Sequence, residues 1–190
     1  MKTNYAAILN LVEEENSLLP LTSNRPVASL PIACRYRLID FPFSGLFNAK
    51  VRSASLFISG SGRSLYDHIR SGTSWGLDNL SGGGVFTHSQ VRLKSQKIDE
   101  DGYEEYYDDH EKFIKMAKSE YVLLLGSSIL ANLQIDSMLN FHKDENADIT
   151  VAYKKLIRTE LKEETIFSTY SFEERSNPTV SDVTPLRDLP

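Results

Sequence analysis

Cysteine is almost missing from this sequence. Cys34 stands alone, so no disulfide can form within the chain, and a reducing, cytoplasmic location is expected. Long apolar runs are missing as well. The short run Ala6 to Leu11 is followed at once by Glu13, Glu14 and Glu15, which is too brief for the apolar region of a signal peptide. No stretch approaches the ~20 apolar residues that span a bilayer, so no membrane contact is expected. Basic charge is in deficit too. The formal net charge is −5 and no local Lys/Arg run reverses it, which argues against a nucleic-acid surface.

What is present suits one globular domain. A chain of 190 residues with 41% hydrophobic and 25% charged residues is long enough for a single core and too short for two full ones. Apolar runs alternate with amphipathic stretches, the pattern of an α/β fold with a mostly parallel sheet and helices on both faces. Strands are predicted at Tyr5–Leu11, Ser53–Ser59, Val85–Val91 (on the sheet margin), Tyr121–Leu125 and Asp148–Lys154. The continuous run at Tyr121–Leu125 suits a strand buried on both faces. Helices are predicted at Arg63–Arg70 and Tyr103–Lys118, and from Ile135, where Ile135, Met138, Leu139 and His142 keep helical spacing. From Ser168 to Pro190 no periodicity is visible, and the segment is expected to be irregular.

One region is more specific. Pro20-Leu21-Thr22 is followed by Arg25-Pro26-Val27-Ala28-Ser29-Leu30-Pro31 and then by RYRLIDF at Arg35–Phe41. Further on stand SGLFNAK at Ser44–Lys50, SLYDHI at Ser64–Ile69 with Trp75 close behind, and YVLLLGSSIL at Tyr121–Leu130. In order and spacing these blocks resemble the N-terminal half of bacterial glucose-1-phosphate adenylyltransferase, over about Ala6 to Lys154. The resemblance implies a Rossmann-like sheet of the nucleotide-diphospho-sugar transferase kind, with the nucleotidyltransferase-like domain at 1–155 and its continuation at 156–190. The C-terminal β-helix of that family is expected to be absent, and the chain is expected to be a truncated piece of the larger fold. The family joins ATP and glucose 1-phosphate into ADP-glucose and pyrophosphate for glycogen synthesis.

The departures from the family pattern are chemical. Where the resemblance places the glycine-rich loop Gly-Gly-x-Gly-Thr-Arg-Leu, this sequence reads Val12-Glu13-Glu14-Glu15-Asn16-Ser17-Leu18. Bare backbone that can approach a polyphosphate is replaced by side chains, Glu13 and Glu15 among them, and the loop arginine by Ser17. Two like charges ~5 Å apart repel by roughly 3 kcal/mol at an effective dielectric of 20, so ATP is not expected to bind this loop in the ordinary way. The Gly-Asp pair whose carboxylate holds Mg²⁺ in the family is Gly126-Ser127 here, and a hydroxyl is a weak ligand for that ion. Val27 replaces a phosphate-facing lysine, Ser59 replaces a base-contacting glutamine, and Gly102-Tyr103-Glu104-Glu105-Tyr106 stands about where a Gly-Thr-Ala-Asp-Ala motif lies near the sugar. No catalytic residue, metal or cofactor is therefore expected in this chain. The pattern is similar to the D-type, non-catalytic subunit of the family, which modulates a catalytic partner in a hetero-oligomer, the partner carrying the Mg²⁺. The rival readings are a weakly active adenylyltransferase with rearranged ligands and a sugar-phosphate sensing module.

Smaller features have two readings each. Arg25 and Arg37 match family arginines that bind anionic effectors, a sugar phosphate or nucleotide; alternatively the local arginines pair with Asp40 or the nearby glutamates. His68 is expected to pack or hydrogen-bond rather than catalyse. Cys34 is read as an ordinary small buried residue, and the scattered His88, His110 and His142 receive no role. The acidic stretch Asp99–Glu111 reads as a solvated helix start, its tyrosines as candidate partner contacts.

Overall fold

The computed structural model describes residues 5–12, 18–77, 83–90, 102–127, 130–155, 168–172 and 180–185. Two compact units divide the chain, Met1–Ala147 and Asp148–Pro190. The first is organised on four parallel strands, β1 (Tyr5–Leu11), β4 (Ser53–Ile58), β5 (Gly84–Ser89) and β6 (Tyr121–Leu125), in the order β5-β4-β1-β6. A two-residue pair, β2 (Pro31–Ile32) and β3 (Tyr36–Arg37), forms a separate antiparallel hairpin between β1 and β4.

Alternation along the central strands sends successive side chains to opposite faces. Ala7, Leu9 and Leu11 of β1 and Leu56 and Ile58 of β4 face one side. There they join Phe43 and Leu46 of α1 (Asp40–Asn48), Leu65 and Ile69 of α2 (Arg63–Ile69), and Ile135 and Leu139 of α4 (Ile135–Asp144). Each buried Leu or Phe contributes about 1.5–3 kcal/mol, so this layer dominates the apolar stabilisation. Ala6, Ile8 and Phe57 face the other side and meet Phe113 of α3 (Gly102–Ala117), with Phe86 and Ala117 at the margin.

Helix α1 follows from local rules. Pro42 sits in its first turn, where a missing N–H costs nothing. At its end Lys50 takes φ +57, its N–H donates to the Phe47 carbonyl (3.0 Å) and that of Val51 to the Leu46 carbonyl (2.9 Å), a Schellman closure made without glycine. Gly72, by contrast, is required. At φ +75 an added Cβ would stand 2.6 Å from the Val85 side chain and 2.9 Å from the Leu77 carbonyl.

Three expectations need correction. The apolar strand β6 is not buried on both faces: Val122 is 39% and Leu124 71% exposed, because β6 ends the row of described strands and α3 lies over Phe57 and Ile8 instead. Residues 148–155 form no strand, since no described strand pairs with them, and Ile149 is 82% exposed. In the second unit, the segment expected to be irregular contains an antiparallel hairpin, β7 (Ser168–Phe172) with β8 (Val180–Pro185). Its alternating Thr169, Tyr170, Val183 and Thr184 suit strands, but three prolines in the segment obscured the pattern. No helix among the described residues is long and apolar enough to cross a membrane.

Candidate functional site

In an open parallel sheet, ligands sit beyond the carboxyl ends of the strands, where the connections switch from one face to the other. Helices α1 and α2, which follow β1 and β4, pack on one face, whereas α3 leads into β6 from the other. The switch therefore lies between β1 and β6, which pair in register with Leu9 opposite Leu125. Val12 leaves β1 at this edge, and Gly126-Ser127 leaves β6 beside it. Ser127 is 2% exposed, and Val12 is half-buried. Glu13, Glu14, Glu15, Asn16 and Ser17 lie outside the described residues.

The exits of β1, β4 and β6 thus bring Val12, Ser59, Gly60, Gly126 and Ser127 to the edge, which offers hydroxyls and backbone but no carboxylate among the described residues. Nor do any three described His, Cys, Asp or Glu side chains gather as a metal would need. A hard dication wants carboxylate oxygens, and these residues do not fit Mg²⁺. Val27 is buried in a short 3₁₀ turn, Val27–Ser29.

The second group of candidates surrounds the β2–β3 hairpin. Asp40, at the start of α1, accepts the backbone N–H of Arg37 at 2.9 Å through Oδ2 and holds His68 Nε2 at 2.6 Å through Oδ1. His68 is therefore a hydrogen-bonded residue, as expected. The same contacts occupy Asp40 with His68 and a backbone N–H rather than with an Arg side chain, and the nearby glutamates Glu13, Glu14 and Glu15, the other expected partners, lie outside the described residues. Arg37 sends Nη1 to the Ser29 carbonyl at 3.0 Å, and Ser29 receives Ser64 Oγ at 3.0 Å while donating to the Pro26 carbonyl at 2.9 Å. Of the two effector candidates, Arg37 is bound into this network and half-buried, whereas Arg25 is exposed, its guanidinium free of ion pairs among the described residues. Cys34 is not buried. It lies exposed at the hairpin turn with φ +65, a conformation that favours glycine.

The family model for nucleotidyl transferases matches residues 16–176. The chain belongs to that family. Among curated relatives it is 31% identical over 150 residues to the glycogen biosynthesis protein GlgD of Bacillus subtilis (strain 168), covering 77% of this chain and 43% of that protein. It is 29% identical to GlgD of Geobacillus stearothermophilus, covering 79% and 43%. It is also 29% identical over 162 residues to glucose-1-phosphate adenylyltransferase of Photobacterium profundum, covering 85% and 38%. The chain thus spans less than half the length of these relatives.

The sequence reading missed one cluster of this nucleotidyltransferase fold. His88 from the strand side and His110 from the helix side come together on Phe57, beside Asn10, Gln90 and Tyr106. Burial pushes the His110 pKa below its ordinary value, and Nδ1 is buried without a hydrogen-bond partner. Burial raises the Tyr106 pKa, with a hydrogen bond from the Asn10 side chain acting the other way. The available signal was the i, i+4 pair Tyr106 and His110 on the apolar face of α3.

Proposed function

We propose that this chain is the nucleotidyltransferase-like half of a cytoplasmic, non-catalytic subunit that supports ADP-glucose synthesis for glycogen. It would assemble with a catalytic glucose-1-phosphate adenylyltransferase subunit, which alone supplies Mg²⁺ and turnover. The observation that carries this reading is Ser127: a buried hydroxyl follows β6 at the ligand edge, beside Val12, where phosphoryl transfer needs charge to hold a metal. The likeness to two GlgD proteins supports the glycogen assignment.

In the assembled complex, Arg25 is the cation offered to an anionic effector, a sugar phosphate or nucleotide, with Arg37 shaping the hairpin behind it. Co-expression of the full-length gene product with the catalytic subunit tests the reading. A hetero-oligomer is expected whose effector response differs from that of the catalytic subunit alone and is reduced by Arg25→Ala. Turnover by the isolated gene product at the rate of the catalytic subunit would defeat the reading.

A further inference from the structure

Four rings stand in sequence on the α3 side of the sheet. Phe57 of β4 is flanked in register by Asn10 of β1 and His88 of β5. The His88 ring lies 4.8 Å from that of Phe57 and 11° from parallel. His110 of α3 lies on Phe57 at 3.5 Å and 6°. Tyr106, one helical turn earlier, continues the column at 5.8 Å and 26° from His110, and Tyr107 closes against its edge at 4.9 Å.

Amide side chains border these rings. Asn10 stands beside Phe57 in the sheet register, and Gln90 Nε2 donates to the Tyr106 carbonyl at 3.3 Å. Both amide oxygens, Asn10 Oδ1 and Gln90 Oε1, are left buried without a partner, and Gln90 is only 2% exposed. A flat aromatic floor with amide donors and acceptors at its rim is the chemistry that holds a planar nitrogen heterocycle: the rings stack, and the amides read its edge. The column stands near the carboxyl ends of β1, β4 and β5, the side of a parallel sheet on which ligands bind.

We propose that His110 and Tyr106 fill this heterocycle slot from within, an autoinhibitory contact that closes it to a nucleobase while the first turns of α3 are seated. The seat is held by His88 Nδ1 to Asp109 Oδ2 at 3.6 Å and by Phe113 packing against Phe86 at 5.7 Å. The proposal deepens the non-catalytic reading and rests on it for its consequence, loss of nucleotide binding, but it concerns the base and not the phosphates.

Adenosine, which carries no phosphate, separates the two. The test is calorimetric or NMR titration of adenosine into the wild-type chain, into Tyr106→Ala, and into the Tyr106→Ala/His110→Ala double variant, with thermal melts to establish folding. Wild type is expected to show no saturable binding at millimolar adenosine, and the ring-deleted variants to gain affinity by about tenfold or more, the worth of one stacked base. His110→Phe, which keeps the slot filled, is expected to behave as wild type. If the double variant does not fold, the half-buried Tyr106→Ala carries the test. Wild type binding adenosine as well as Tyr106→Ala, or folded ring-deleted variants that bind none, would overturn the slot and leave the phosphate argument untouched.

Discussion

Two regions of the molecule contrast in how their polar groups are used. Around the hairpin corner, Asp40, Arg37, His68, Ser29 and Ser64 are tied to one another by hydrogen bonds of 2.6–3.0 Å. At the strand exits, the described residues Val12 and Ser127 carry no charge, and the proposed non-catalytic reading rests on them. The corner holds the fold together and the exits would hold a substrate. Architecture and site draw on different residues, so under the proposed reading the first is kept and the second lost.

Four substitutions or conditions probe that contrast. The largest effect is expected at the corner: Asp40→Ala leaves His68 and the Arg37 N–H without their acceptor and should lower stability by about 2–3 kcal/mol, read from denaturant midpoints. A loss under about 1 kcal/mol, the worth of one ordinary hydrogen bond, would mean that the network is ornamental. Gly72→Ala, which forces a Cβ against Val85 and the Leu77 carbonyl at positive φ, should cost about 2 kcal/mol in the same measurement.

The ring column responds to pH instead. Burial favours neutral His110 in the folded chain, so the unfolded chain takes up its proton first as pH falls through the ordinary histidine value of 6.5. Stability should therefore be unaffected by His110 above that pH and decline below it, and thermal melts of His110→Phe should show a shallower decline. An identical pH profile in wild type and variant would contradict the buried placement. The smallest effect is a gain: Lys50→Gly relieves a left-handed residue at the end of α1 and should stabilise by about 0.5 kcal/mol. Were Lys50→Gly neutral or destabilising, the strain assigned there would be absent.

Much of this was legible in the sequence, for reasons that can be named. Strand β1 was bounded correctly and β4 to within a residue, because central parallel strands are continuous apolar runs flanked by turn residues. Helix α3 was visible from its apolar stripe, and the motifs that carry Asp40 and His68 from their resemblance to the family. Burial of β6 was misjudged because Val122 and Leu124 are as apolar as Leu123, and composition does not say whether a second layer covers them. The strand expected at 148–154 failed for the same reason, since a ladder needs a partner that local sequence does not reveal. Cys34 was misplaced because a left-handed turn, not residue type, decided its exposure. The ring column was invisible because Asn10, Phe57, His88 and His110 are brought together only by strand register and helix docking.

Calorimetric titration of Mg²⁺-ATP into the purified chain tests the central claim most directly. An edge without a metal carboxylate or a bare phosphate-binding loop predicts no saturable heat at millimolar nucleotide, with and without Mg²⁺. Mg²⁺-dependent binding in the micromolar range would contradict it.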